Sequence, residues 1–234
     1  MYLNKINVIY LHPPKTAGTY IEANLIKYSE DVKSKTYGFQ DGKDSFELKG
    51  KFTFHKHQNL SDYKKQMPET TYEKAKILIS VRNPLDRIIS SYFGADDTKN
   101  TKTLGVIKNI NRITNRFIGY NLFGKKFYNY KQPEYSENNF IEYIEKIPNQ
   151  TDYLNIMNQY IEPNFIIKYE NLNNDLKNFF KLNNLDLDLA ENKKINSGRY
   201  KFDTSIIKQN PNVIKKIKES HHFLDYKNFN YKLS

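Results

Sequence analysis

Residues 8–19, VIYLHPPKTAGT, decide the fold. Val8, Ile9, Tyr10 and Leu11 form an apolar run of strand length, cut off by the turn signal Pro13-Pro14. A lysine and small residues follow, and Thr19-Tyr20-Ile21-Glu22-Ala23 opens a helical pattern with Glu22 in its first turn. A strand, a small-residue loop and a helix N-terminus together make an anion site, because unpaired N–H groups and the positive dipole end face one point. Gly18 and Ala17 allow the backbone close to a ligand, Thr16 and Thr19 supply hydroxyls, and Lys15 adds a mobile charge. An ordinary strand-to-helix turn with a solvated lysine is the alternative.

The loop is not that of a nucleoside-triphosphate site. That motif, G-x-x-x-x-G-K-[ST], places a glycine well before the lysine and another directly ahead of it. Here Lys15 precedes Gly18 and no glycine lies upstream. A second segment, KILISVRNPLDRIISSYF at residues 76–93, repeats the design. Ile77 to Val81 read as a strand, Asn83-Pro84 as a break, and Leu85, Ile88, Ile89 and Tyr92 as the apolar face of a helix. Arg82 stands at the strand end and Ser90 about two turns into the helix.

With both segments in view, the chain resembles the sulfotransferases that use 3′-phosphoadenosine-5′-phosphosulfate. HPPKTAGT is similar to their 5′-phosphosulfate loop, and VRNPLDRIISSYF to their 3′-phosphate motif, R-x-P-x-x-R-x-x-S-x-Y. IIKYENLNNDL at 166–176 resembles the strand-turn-helix that follows later in the family core. The motifs keep the family's order and span most of the chain, closest to the carbohydrate (Golgi-type) branch, which includes the uronyl 2-O-sulfotransferases. The resemblance implies a P-loop-like three-layer α/β sandwich, its central parallel sheet covered by helices. It implies transfer of a sulfuryl group from that donor to an acceptor hydroxyl of a carbohydrate. Lys15, Thr16, Ala17, Gly18 and Thr19 would hold the 5′ side of the donor, and Arg82 and Ser90 the 3′-phosphate. Arg87, one turn from Ser90, either shares a face with it or is a solvated or ion-paired helix residue, the second being the favoured reading.

The chemistry of those residue types agrees. Sulfuryl transfer is mostly positioning and charge neutralisation. Lys15 is the natural cation for the breaking bond, and arginine suits forked contact with a phosphate. No metal is demanded. A base is, and two of the five histidines lie in KFTFHKHQNL, residues 51–60. His55 and His57 share a side if the strand begun at Phe52-Thr53-Phe54 continues. An H-x-H pair also occurs as a metal-ligand pattern, but no third ligand is evident. The resemblance puts a catalytic H-x-H at this position, with His57 as the base and His55 as support; a neutral imidazole suits proton abstraction. Two exposed strand-end histidines are the alternative, with a carboxylate such as Glu22 or Asp62 then the base. His12 would shape the loop, and His221-His222 read as surface. In INSGRYKF, residues 195–202, the resemblance assigns Ser197, Gly198 and Arg199 to a loop closing over the nucleotide; a plain surface loop is the alternative.

Composition bounds the rest. A chain of 234 residues reads as one domain, 1–234, able to bury about 70–75% of its unfolded surface. The net charge of +11 suits an anionic partner, a phosphorylated nucleotide or an acidic glycan. Its lysines are scattered and no nucleic-acid motif appears, so nucleic acid is not the expected partner. With no cysteine there are no disulfides or thiolate metal sites, and no 18-residue apolar run predicts a membrane span. A cytoplasmic enzyme of bacterial or bacterial-virus origin is the expectation. A nucleotide kinase or triphosphatase, or a non-catalytic basic protein binding glycan or nucleic acid, are the competing readings.

Along the chain the pattern is βα alternation. Strands are expected at about 6–12, 51–56, 76–81 and 165–169, and helices at about 19–29, 61–67, 84–95, from Ser136 through Ile144, and at 172–180 and 204–220. Asp31 to Lys49 reads as a polar connection. Within 96–135, the segment FGKKFYNYKQPEY offers aromatic faces and lysines that suit acidic sugars, or packs on the core as an irregular loop.

Overall fold

The apolar runs at 8–11, 77–81 and 165–168 fulfil their reading: each is a strand of one sheet. The computed structural model describes residues 1–35, 46–94, 134–186 and 203–233. Its central sheet has the order β1-β2-β5-β8, where β1 is Tyr2–Leu3, β2 Val8–Leu11, β5 Lys76–Val81 and β8 Phe165–Lys168. β2, β5 and β8 run parallel and β1 is antiparallel at one edge, while β6 (Asn155–Ile156) and β7 (Gln159–Tyr160) pair with each other outside this sheet.

Side chains alternate across this sheet as a period of two requires. Val8, Tyr10, Leu78 and Ile167 face α1 (Gly18–Leu25) and α6 (Leu172–Leu182), meeting Ile21, Leu25, Leu176 and Phe180. Ile9, Leu11, Ile77, Ile79 and Val81 face the other way, onto Leu60 and Tyr63 of α2 (Leu60–Gln66), Tyr72 of the short α3 (Glu69–Tyr72), and Tyr153 and Leu154. Both faces are covered, which is why these strands are apolar almost throughout. A third apolar cluster joins α4 (Pro84–Gly94), α5 (Glu137–Lys146), α7 (Ser205–Lys208), α8 (Pro211–Glu219) and α9 (Phe223–Asn228). The architecture is the expected three-layer α/β sandwich.

The second strand is not where the sequence suggested. Residues 51–56 form no strand. Phe52 and Thr53 are buried, but the backbone around them is satisfied locally. Gly50 N–H donates to Thr53 C=O, while the Gln58 side chain accepts from Phe54 N–H and donates to Phe52 C=O. With those groups taken, no ladder is left to form. The strands instead lie in the stretch read as a polar connection, as the antiparallel hairpin of β3 (Val32–Lys35) and β4 (Phe46–Lys49). The expected helix over 204–220 is two, broken at Pro211, which stands at the first turn of α8 behind an Asn210 N-cap.

Candidate active site

The site is built on the carboxyl ends of β2 and β5, where open parallel sheets bind ligands. Loop 12–17 leaves β2 with Lys15 and Ala17 in the left-handed region, at φ 71° and 65°. Each such residue costs about 1–2 kcal/mol. Left-handed Ala17 followed by helical Gly18 aims successive N–H groups toward one point, the geometry of an anion nest. Ala17 gives α1 no side-chain cap, so the first N–H groups of that helix stay open.

Polar side chains fix this shape from beneath. Tyr10 OH donates to Ser80 Oγ at 2.9 Å, and Thr16 Oγ1 donates to Pro13 C=O at 2.7 Å. Thr16 has then spent its proton, so Ser80 donates across the 2.7 Å contact to Thr16. The chain of bonds runs through fully buried atoms, so the Thr16 hydroxyl is structural and only its backbone faces a ligand. The supporting roles of Ser80 and of the Tyr10 hydroxyl are not legible in the sequence, where a serine inside an apolar strand is the one signal of them.

His12 lies against the loop. Its Nδ1 is 2.8 Å from Glu22 Oε1, both residues being buried. Its ring occupies the space over Gly18: a Cβ there would fall 1.8 Å from His12 Cδ2. Any larger residue at 18 would displace the imidazole. Glu22 is the fifth residue of α1, one residue past its expected first-turn place because the helix starts at Gly18, and from there it reaches back to His12.

His12 also recruits His57. His57 Nδ1 donates to the His12 carbonyl at 2.8 Å, and the two rings lie 4.6 Å apart. Because a carbonyl only accepts, the proton sits on Nδ1 and Nε2 keeps its lone pair. Burial, then the neighbouring His12, lowers the His57 pKa from 6.5 to about 3. His55 stands on the same loop but is exposed. The expected shared strand face for the pair does not exist, and only His57 reaches the loop. Asp62 is committed to capping α2, exchanging bonds with Asn59.

Arg82 approaches from β5. Its Nη1 donates to Lys15 C=O at 3.4 Å and its guanidinium stacks 4.1 Å from the centre of the Tyr169 ring. Among the described residues Arg82 Nε is buried without a hydrogen-bond partner. An orphaned guanidinium N–H beside an open helix N-terminus fits an anionic group. The half-buried Lys15 sends its ammonium to the end of α4: a Cβ on Gly94 would lie 2.7 Å from Nζ. Ser90 is 8% exposed on α4 and, among the described residues, shares no hydrogen bond with Arg82. Ser197, Gly198, Arg199 and most of the 123–135 aromatic segment lie outside the described residues.

The sulfotransferase family model matches residues 1–232. The chain belongs to the sulfotransferase family. No curated protein and no solved structure matches it. As a sulfotransferase it is a transferase that moves sulfuryl groups. Among the described residues no group of histidines and carboxylates could hold a metal ion, and no helix is long and apolar enough to cross a membrane.

Arg87, read as a solvated or ion-paired helix residue, and His222, read as surface, are both interior. Arg87 is fully buried on α4 and donates from Nη2 to Pro148 C=O. His222 is fully buried too, its Nε2 donating to Ile144 C=O. Burial, followed by the charge of Arg87, lowers the His222 pKa from 6.5 to about 3. Below about pH 6.5 the unfolded chain binds a proton here that the folded chain refuses until about pH 3. Stability is therefore lost as pH falls through that window, by up to ~1.4 kcal/mol per pH unit from this residue. His222→Gln keeps a donor for Ile144 but does not titrate. The stability gap between parent and variant should shrink from pH 7 to pH 5 in urea unfolding; a constant gap would contradict the assignment.

Proposed function

We propose that residues 1–234 act as one catalytic unit that transfers a sulfuryl group from 3′-phosphoadenosine-5′-phosphosulfate to a carbohydrate hydroxyl. One observation carries the reading: the Arg82 guanidinium meets the Lys15 carbonyl, setting the second anion-binding unit against the first. The donor supplies a sulfur centre with a phosphate leaving group. The backbone N–H groups of residues 16–19 bind that 5′ end, and Lys15 neutralises the charge that grows as the sulfur–oxygen bond breaks. Arg82 and Ser90 hold the 3′-phosphate, with Ser197, Gly198 and Arg199 closing over it. His57 Nε2 takes the proton of the acceptor hydroxyl as its oxygen bonds to sulfur. His55, exposed beside it, meets the acceptor. The carbohydrate class rests on the H-x-H pair and on the charge of +11, which suits acidic sugars.

The test is nucleotide selectivity. Loss of a charge-assisted contact costs ~1.5–3 kcal/mol. Arg82→Ala should therefore weaken 3′-phosphoadenosine-5′-phosphate about ten-fold or more in calorimetric titration and leave adenosine 5′-phosphate nearly unchanged. If the parent binds both nucleotides equally, the reading is wrong.

A further inference from the structure

β5 ends at Val81, the last residue in register with β8, where it faces Lys168. Arg82 comes next, beyond the ladder, with a backbone donor and acceptor to satisfy. A side chain does what the missing strand would do. Gln150 Oε1 accepts from Arg82 N–H at 2.7 Å, and Gln150 Nε2 donates to Arg82 C=O at 2.9 Å. Gln150 is fully buried.

The orientation of that amide is set from behind. Gln150 Nε2 also donates to Asp225 Oδ2 at 3.2 Å. A carboxylate only accepts, so the NH₂ must face Asp225 and the carbonyl must face Arg82 N–H. Asp225, fully buried at the start of α9, accepts further bonds from Gln150 N–H, Thr151 N–H and Thr151 Oγ1, between 2.8 and 3.0 Å. Arg87, fully buried, supplies a nearby positive charge and pins Pro148 C=O, so the 148–151 segment is held from α4 and α9 together. Burying so many polar groups is costly unless their geometry is used.

We infer that Gln150 and Asp225 are positioning residues for phosphate recognition by Arg82. They fix the main chain from which the guanidinium departs, between Lys15 C=O and the Tyr169 ring. Forked contact with a phosphate tolerates only about half an ångström of error in that starting point. The inference rests on the reading that Arg82 holds the 3′-phosphate of the donor nucleotide.

The experiment measures the ratio of dissociation constants, adenosine 5′-phosphate over 3′-phosphoadenosine-5′-phosphate, for the parent, Arg82→Ala, Gln150→Met and the double variant. Gln150→Met keeps length and removes both bonds to Arg82. The ratio should fall about ten-fold in each single variant and no further in the double one, while adenosine 5′-phosphate binds within about two-fold of the parent. A merely structural role for Gln150 would weaken both nucleotides alike, and that result, or an unchanged ratio, overturns the inference. If Gln150→Met fails to show a cooperative thermal transition, Gln150→Asn, which withdraws the amide by one methylene, is read in the same way and must lower the ratio. An unchanged ratio in Arg82→Ala itself would instead remove the reading of Arg82 on which this inference rests.

Discussion

Lys15→Ala will cut turnover by roughly 10²–10³-fold, the usual effect of removing one donor aimed at charge that develops in a transition state. Affinity for the spent bisphosphate should fall by less than about ten-fold, because the proposed contacts from the N–H groups of the nest and from Arg82 do not involve the Lys15 ammonium. The asymmetry follows from how the loop holds this residue. Its left-handed backbone and the bond from Arg82 Nη1 to its carbonyl fix where the side chain starts. Its ammonium, by contrast, is the far end of a flexible stem resting beside Gly94. A mobile charge of that kind contributes most where negative charge is greatest, at the breaking bond. Single-turnover rates and equilibrium titration separate the two quantities. Equal losses in rate and affinity would make Lys15 a plain phosphate anchor.

The parts of this site that were legible in the sequence are local ones. An apolar run ending in a turn signal announces a buried strand and a break before a helix, and both strand-turn-helix units, at 8–19 and at 76–93, are present in the fold. The hairpin of β3 and β4 was hidden because VKSK and FELK carry too much charge to stand out from the polar stretch around them. The 51–56 segment misled in the opposite direction. Its alternating Phe52-Thr53-Phe54 has the period of a strand, but Gln58 takes the hydrogen bonds a neighbouring strand would need. No local signal marks the support of Arg82, since Gln150 lies 68 residues from it and Asp225 another 75 beyond. Period and propensity describe neighbours along the chain, and buried polar networks join residues that only the tertiary fold brings together. The burial of His222 has the same origin. Its lysine-rich surroundings describe the exposed face of α8, whereas the turn after Ser220 leaves His221 exposed and carries His222 inward.

His57→Ala will remove most transfer, by ~10²–10⁴-fold, with bisphosphate affinity nearly intact. His55→Ala will do less damage, since His55 is exposed and does not reach the loop. The hydrogen bond to His12 C=O already holds His57 in the tautomer a base needs. What looks unfavourable is its basicity, because a pKa lowered to about 3 describes a weak acceptor. The cause of that shift supplies the remedy. Burial penalises the imidazolium only while no opposite charge is near, and an anion within about 4–6 Å favours the charged form. Donor binding at the neighbouring nest would bring such an anion, so His57 should grow more basic in the complex than in the free protein. The two pH profiles must then differ. The acidic limb of kcat/KM, which reports the free protein, should lie well below pH 6.5, and the limb of kcat should lie at higher pH. Both limbs should vanish in His57→Ala. Glu22 and Asp62 are poor substitutes, the first buried against His12 and the second spent on the cap of α2. Wild-type turnover by His57→Ala at saturating acceptor would nevertheless place the base on a group other than His57.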